Sequence, residues 1–383
     1  MVKKERLYYL DWLRVLAFWL LILFHTWQPF SHFHWLIESN YQTTIADILT
    51  IYTHGWRLHL IFFVSGIGTW FAIGSHKKNF FKDRFLRLMI PFIFASLLIV
   101  PSQRYYQRLQ NGEIFDSFWR FMNLYPSQVL QNDYGFSILL WCKEIGIHLW
   151  YLPYLLIMTL VCFPILKKVK QGNFPIKKIK SILDKPYGIF VLAIPLFLIR
   201  LLLKPIFPNY TDWADFFTYV WSFLYGFILI NNHTELIIIL QKNQKKFLVV
   251  GLICSLTLIV GSTKEELVAT YLNPEFNYYH VLISFLNALI AFSWTMFFVS
   301  LFSKKMNFKK EFLTEANTSI LPIYILHQSI IVCFGYYIIA EKLGAFVEFT
   351  IILILTTISC LLLFKIITKI GILRFLFGMK SKE

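Results

Sequence analysis

Residues 7–27 read LYYLDWLRVLAFWLLILFHTW, an apolar run interrupted by Asp11, Arg14 and His25. Its length suffices for one helix across a bilayer, which needs about 20 predominantly apolar residues. Eleven helical steps of about 100° separate Arg14 from His25, so both side chains fall on one face of that helix, roughly 16 Å apart along its axis. A cation and an imidazole inside a membrane are costly, and residues of this kind mark functional sites by default.

The rest of the chain repeats the pattern. Of its 383 residues 57% are hydrophobic and 15% charged, too apolar a balance for a soluble globule. The 40 Phe, 20 Tyr and 12 Trp suit helix–helix gaps and anchoring at the headgroups. Runs long enough to span lie near 8–28, 48–74, 87–103, 146–166, 187–203, 214–232, 247–263, 280–303, 317–340 and 345–366. The expected fold is an all-α polytopic membrane protein of about ten transmembrane helices.

With the N-terminus placed inside, the cytoplasmic segments carry 26 Lys and Arg and the opposite loops 7, which predicts that both termini are cytoplasmic. The same clustering makes the net charge of +16 a topological signal and argues against nucleic acid as a partner. Cys142, Cys162, Cys254, Cys333 and Cys360 form no CxxC pair or metal-type spacing and read as small hydrophobes, so no metal is expected. The first apolar run is too long for a signal-peptide core and is expected to stay in the mature protein. Of the longer connectors, 104–143 lies outside on this topology, either over the mouth of a site or along the interface as an amphipathic helix. The basic stretch 167–185 reads as a solvated cytoplasmic loop.

Depth sorts the polar residues into two groups. His25, His54, Arg57, His59 and His148, with Trp150 beside the last, sit at helix ends on the outer side and are expected to line one outward-facing cavity. Arg14 and the residues of KKNFFKDRFLRLMIP, namely Lys77, Lys78, Lys82, Arg84 and Arg87, sit on the inner side and suit phosphate groups. Positive-inside anchoring accounts equally for the lysines but not for the depth of Arg14. Asp11, three residues before Arg14, forms a neutralising pair with it under either reading. His54 reads as incidental to the boundary, Arg57 also as a snorkelling side chain, and His25, His59 and His148 also as packing histidines. In FFVSG, residues 62–66, Ser65 and Gly66 serve either close helix approach or, through the hydroxyl, an oxyanion. His327, eleven residues into the ninth helix, needs a partner at mid-depth, either Tyr324 one turn earlier or a group on the first helix.

Taken in order, these segments resemble the acyltransferase-3 family of integral membrane acyltransferases. Arg14 and His25 match its arginine, ten residues, histidine signature; FFVSG, RFLRLMIP, HLWYL (148–152) and YILH (324–327) match four further motifs. WRLHLIFFVSG, SILPIYILHQSII and the terminal LRFLFGMK are most similar to the glucan-biosynthesis C-type, succinyltransferase-like branch. The resemblance implies a single transmembrane acyltransferase domain over 1–383. It also implies O-acylation: an acetyl or succinyl group moves from cytoplasmic acyl-CoA to a hydroxyl of an extracytoplasmic glycan, in the cell inner membrane.

No tightly bound cofactor is expected, acetyl-CoA or succinyl-CoA being a co-substrate, and the remaining partners are the lipid bilayer and the glycan acceptor; a homo-oligomer is left open. On this reading His25 is the catalytic base or transient acyl carrier, since an ordinary imidazole pKa near 6.5 suits either task, and Arg14 is catalytic by orientation. Lys82, Arg84 and Arg87 bind the cofactor-like donor, while Arg57, His59, His148, Trp150, Ser65, Tyr324 and His327 bind substrate. The rival reading is a secondary transporter of a small anionic or acylated substrate, for which buried Arg and His would mark the path.

Overall fold

The computed structural model describes residues 6–74, 79–113, 117–131, 134–135, 137–172 and 176–380. Lys3, Lys4, Lys77, Lys78 and Lys382 of the expected basic segments lie outside the described residues. In chain order the helices are α1 (Tyr8–Trp27), α2 (Thr44–Gly74), α3 (Phe80–Leu98), α4 (Pro101–Gln110), α5 (Phe118–Leu130), α6 (Ile138–Gly146), α7 (Tyr151–Lys170), α8 (Ile176–Leu183), α9 (Ile194–Leu203) and α10 (Trp213–Asn231). They continue as α11 (His233–Lys242), α12 (Gln244–Gly261), α13 (Glu265–Leu272), α14 (Tyr278–Lys305), α15 (Phe312–Ala340), α16 (Ala345–Lys369) and α17 (Gly371–Leu376).

Among the described residues nine stretches are long and apolar enough to cross a bilayer, with α3–α4 and α6–α7 each counting as one. The tenth expected span, Gly188–Leu203, is shorter. It opens as a 3-10 turn over Gly188–Ala193 and becomes α-helical at α9, where a proline in the first turn has no N–H to lose. Six 3-10 residues rising about 2.0 Å each and ten α residues rising about 1.5 Å reach roughly 27 Å, close to a hydrocarbon core. Exposed aliphatic stripes identify the solvent as lipid. On α12, Val249, Ile253, Leu256 and Val260 recur at helical spacing and stay exposed, Val260 to 67%.

The chain divides into two compact units, each made of discontinuous pieces. The first comprises residues up to Ala17, Ile51–Lys78 and Ile157–Leu313. Within it α14 packs along α12, α9 and α11, and α9 also packs on α10. The stretch 167–185, expected as a solvated loop, instead extends α7 to Lys170 and forms α8, whose Leu183 is buried. Lys170 sits 4.4 Å from the Trp70 ring and donates to the Trp70 carbonyl at 2.7 Å, so part of the basic run is fixed rather than solvated.

The second unit comprises Phe18–Thr50, Asn79–Leu156 and the residues from Thr314 onward. Its core gathers Phe30, Ile37, Ala46, Ile331, Val332, Ile339 and Ile352. Much of the stretch 104–143 is helical, in α4, α5 and α6. In α5, Phe121, Tyr125 and Val129 recur every four residues and pack with Tyr105 and Ile145, while Trp119 is 73% exposed. The LRFLFGMK end docks on α3: the Phe94 and Phe377 rings lie 5.5 Å apart, and Gly378 turns the chain at φ +65° against the Arg87 carbonyl.

A Cβ at Gly378 would lie 2.7 Å from that carbonyl oxygen and 2.9 Å from Pro91. Gly378→Ala therefore meets both an unfavourable left-handed φ and a backbone neighbour that cannot rotate away. Cleavage after Arg374 by limited trypsin digestion of the solubilised protein is expected to accelerate roughly tenfold, the factor matching about 1.4 kcal/mol of left-handed strain. An unchanged digestion rate would refute the docking of this end.

Candidate active site

α1 is unbroken from Tyr8 to Trp27, so Arg14 and His25 keep the helical spacing read from the sequence. His25 is half-buried and belongs to the second unit. Beyond α1 the chain folds back on itself: Ser39 N–H bonds to the Pro29 carbonyl at 2.8 Å and Thr43 N–H to that of Phe30 at 2.7 Å. Ser39 Oγ also donates to Glu348 Oε2 at 2.8 Å, and Glu348 Oε1 accepts the N–H groups of Leu343 and Gly344, so a fully buried carboxylate ties this loop to the start of α16. The loop thereby holds Trp35 stacked on His25, ring centroids 6.0 Å apart at 26°.

On its other side His25 meets His327 of α15, at 5.2 Å between centroids, and His327 in turn meets His148 at 5.3 Å. The partner sought for His327 is thus found on the first helix as well as in Tyr324, whose ring stacks on it at 6.1 Å. The hydrogen bonds assign two of the three tautomers. His148 Nε2 faces the Tyr324 carbonyl at 3.1 Å, which can only accept, so the proton is on Nε2. Its Nδ1 is then the acceptor for Gln103 Nε2 at 3.3 Å. His327 Nδ1 lies 2.8 Å and 3.2 Å from the Tyr324 and Ile323 carbonyls, so this nitrogen donates and the lone pair is on Nε2.

His148 is gripped from several directions. Tyr324 Oη donates to the His148 carbonyl at 2.5 Å, which makes the two residues mutual partners. Gln103 also donates to Ser329 Oγ at 2.7 Å and accepts from Gln328 at 3.1 Å, linking α4 to α15 through buried amides. Ile147, a β-branched residue at φ +47°, turns the chain into the 3-10 segment Ile147–Trp150 that presents the imidazole. Both ring nitrogens of His148 are engaged in this way, and among the described residues no group of three or more His, Cys, Asp or Glu is placed to hold a metal. Beside His327, residues Phe18, Trp19, Ile22, Ile320, Ile323 and Tyr324 pack around a crevice of only about 10 Å³.

The remaining candidates divide between the units. In the second, Trp150 is buried with its ring 4.7 Å from that of Tyr154, Lys82 and Arg87 are exposed on α3, and Arg84 is half-buried there. In the first, Arg14 Nη1 lies 3.7 Å from Asp11 Oδ1, and Asp11 is shared with Arg6 at 2.8 Å, so the two cations have one carboxylate between them. Arg14 Nη2 also lies where a Cβ at Gly68 would stand 3.4 Å away. Ser65 Oγ donates to the Ile61 carbonyl of its own helix at 2.8 Å. Arg57 is buried at 3% exposure, and His59 Nδ1 meets Ser222 Oγ at 2.8 Å.

Four of the five residues expected to line one cavity fall into two groups, the fifth, Arg57, being buried in the first unit. His54 and His59 line a cavity of the first unit, while His25 and His148 join through His327 in the second. Equal depth along the chain, which the sequence reveals, does not determine which helices are neighbours. Trp35, Gln103, Gln328 and Glu348 went unread because they gain their roles from contacts made across long stretches of sequence, 309 residues in the case of Ser39 and Glu348.

Three imidazoles brought ring to ring on membrane-crossing helices are equipment for moving a proton at a bilayer. Residues 7–365 match the model of the acyltransferase-3 family, described as an acyltransferase domain, and the chain belongs to that family. It is a multi-pass integral membrane acyltransferase. The chain is similar to glucans biosynthesis protein C of Escherichia coli (strain K12), of Escherichia coli O157:H7 and of Shigella dysenteriae serotype 1 (strain Sd197). Each is 24% identical over 394 residues, covering 99% of this chain and 96% of the relative. No solved structure matches the chain.

Proposed function

We propose that this acyltransferase takes an acetyl or succinyl group from cytoplasmic acyl-CoA and places it on a hydroxyl of an extracytoplasmic glycan, with both termini in the cytoplasm of a cell whose inner membrane it spans. The observation that carries this reading is His25, half-buried on the longest-range motif of the family and ring to ring with His327. His25 takes the proton of the acceptor hydroxyl as its oxygen attacks the thioester carbonyl. The C–S bond breaks, and the departing CoA thiolate recovers the proton from the imidazolium.

Lys82, Arg84 and Arg87 hold the CoA phosphates, for which exposed and half-exposed cations at the start of α3 supply charge and forked donors. Arg14 orients the inner part of α1. Tyr324, His327, His148 and Trp150 shape the acceptor's approach. Arg57 and His59 contact the acceptor or, for a dicarboxylic acyl group, its free carboxylate. Ser65 is the weakest member of the set, since its hydroxyl would have to leave the Ile61 carbonyl to serve an oxyanion.

The test is transfer across a membrane. Purified protein in sealed liposomes is given labelled acetyl- or succinyl-CoA on the face carrying the termini and a glucan inside, and the glucan is recovered for mass spectrometry. The expected result is an acyl mass increment that requires both substrates. Unmodified glucan with either donor, from protein shown to be folded, would overturn the assignment.

A further inference from the structure

The first unit contains a second, chemically different site. Around the C-terminal end of α9, the loop that follows it and the starts of α10 and α14 lies a cavity of about 300 Å³. That volume stands at the lower end of the roughly 300–1,000 Å³ of small-ligand pockets and suits a ligand of about one sugar ring.

Its charge is unbalanced. Arg200 Nη1 lies 3.5 Å from Asp215 Oδ1 and Lys204 Nζ 3.2 Å from Asp215 Oδ2, so one carboxylate serves two cations. Asp215 is further committed to the Thr211 N–H at 2.9 Å, and only 5% of its side chain is exposed. Lys204 Nζ also donates to the Asn209 carbonyl at 3.2 Å and feels Asp212, so the spare donors for a second anion are those of the Arg200 guanidinium, which has five, and one on the ammonium. Both cations are largely withdrawn from water, with side chains 17% and 12% exposed, and burial pushes the Lys204 ammonium below its usual range against the pull of Asp215. An anion replacing lost hydration would relieve that cost.

The rest of the lining is suited to hydroxyl groups. His280 Nε2 donates to the Leu201 carbonyl at 3.1 Å, which leaves Nδ1 as an acceptor. His59 is held by Ser222, and Tyr271 lines the cavity with its phenol withdrawn from water, which raises its pKa. Rings, imidazoles and a cation pair together match a carboxylate on a polyhydroxylated ring better than a bare phosphate, which has no use for apolar faces and hydroxyl acceptors.

We infer that this cavity binds an acidic sugar unit, with its carboxylate on Arg200 and Lys204 and its hydroxyls on the imidazoles and Tyr271. On the orientation proposed above, the cavity lies at the helix ends on the acceptor's side. The inference rests on the acyltransferase reading only for the purpose of binding, so the measurement is made with no acyl donor present.

Titration calorimetry of the full-length protein in detergent, with glucuronate, glucose and inorganic phosphate as probes, tests it. Glucuronate is expected to bind at least tenfold more tightly than glucose, to resist competition by phosphate and to weaken as salt is raised. Lys204→Gln should weaken glucuronate about tenfold, whereas Lys204→Arg, which keeps the charge, should stay within about twofold. Should Lys204→Gln not fold, Tyr271→Phe, which removes one hydroxyl from the lining, is expected to cost severalfold. Equal binding of glucose, displacement by phosphate, or no glucuronate binding by the folded wild-type protein would each overturn the inference, whatever the outcome of the transfer assay.

Discussion

His25→Ala is expected to reduce acyl transfer about a hundred- to ten-thousand-fold, the range over which a positioned acid–base group contributes, while leaving the protein folded. The two halves of this expectation come from different observations. The side chain is half-buried and meets three rings, Phe24 at 5.1 Å, Trp35 at 6.0 Å and His327 at 5.2 Å, rather than filling a closed core. Truncating it opens space at a partly exposed position, so the unfolding temperature in detergent should shift by only a few degrees. The chemistry is lost because His148 is not equipped to replace it and His327 stands at a different position. His148 has one nitrogen donating to a carbonyl and the other accepting from Gln103, and the Nδ1 proton of His327 is committed to backbone carbonyls. His327 retains a lone pair on Nε2, so His327→Ala serves as the comparison and should cost less than His25→Ala if His25 is the base. Transfer by folded His25→Ala within about twofold of wild type, measured with labelled acyl-CoA and acceptor, would remove His25 from the mechanism.

How much of this was legible in the chain depends on whether a property is local. Membrane spans are local: about 20 apolar residues announce themselves, and the one that fell short, Gly188–Leu203, did so because a 3-10 opening stretches fewer residues over the same distance. The placing of Arg14 and His25 on one helix face is also local, since it follows from the helical period alone. Lateral neighbours are not. Nothing in HLWYL or YILH states that His148 and His327 stand ring to ring, or that Tyr324 and His148 exchange hydrogen bonds. Trp35 carries no local signal: its place on His25 depends on the buried Glu348, which pins the loop through Ser39. His59 shares a cavity with Arg200, Lys204 and Asp215, a grouping hidden in the sequence because these residues come from three different helices and their ends.

Gly66→Ala is expected to be the most destabilising single substitution in the family motifs. A Cβ built at Gly66 stands 1.9 Å from the Phe223 carbonyl oxygen and 2.8 Å from its carbon. The contact is reciprocal: a Cβ at Gly226 stands 1.9 Å from the Phe63 carbonyl oxygen. Two backbones, those of α2 and α10, therefore run in direct contact, the arrangement small residues make possible where lipid offers no hydrophobic drive for association. A flexible side chain could swing aside, but a helical carbonyl cannot, so the helices must separate. Separation breaks what the crossing aligns: His59 Nδ1 against Ser222 Oγ at 2.8 Å, and the Phe62 ring stacked on Tyr219 at 4.8 Å and 18°. Overpacking commonly costs about 1–3 kcal/mol and more where nothing can yield, so the loss here should be at least about 3 kcal/mol. It would be read as a lowered unfolding temperature and a reduced yield of monodisperse protein. Gly226→Ala should behave the same way, and the double variant should be worse than either, because each methyl meets a different carbonyl. Gly371→Ala supplies the contrast: no heavy atom lies within 4 Å of its Cβ position, and at the start of a helix the change should be neutral or mildly stabilising. An unfolding temperature for Gly66→Ala equal to that of Gly371→Ala would mean that α2 and α10 do not cross this closely, and the placement of His59 would go with it.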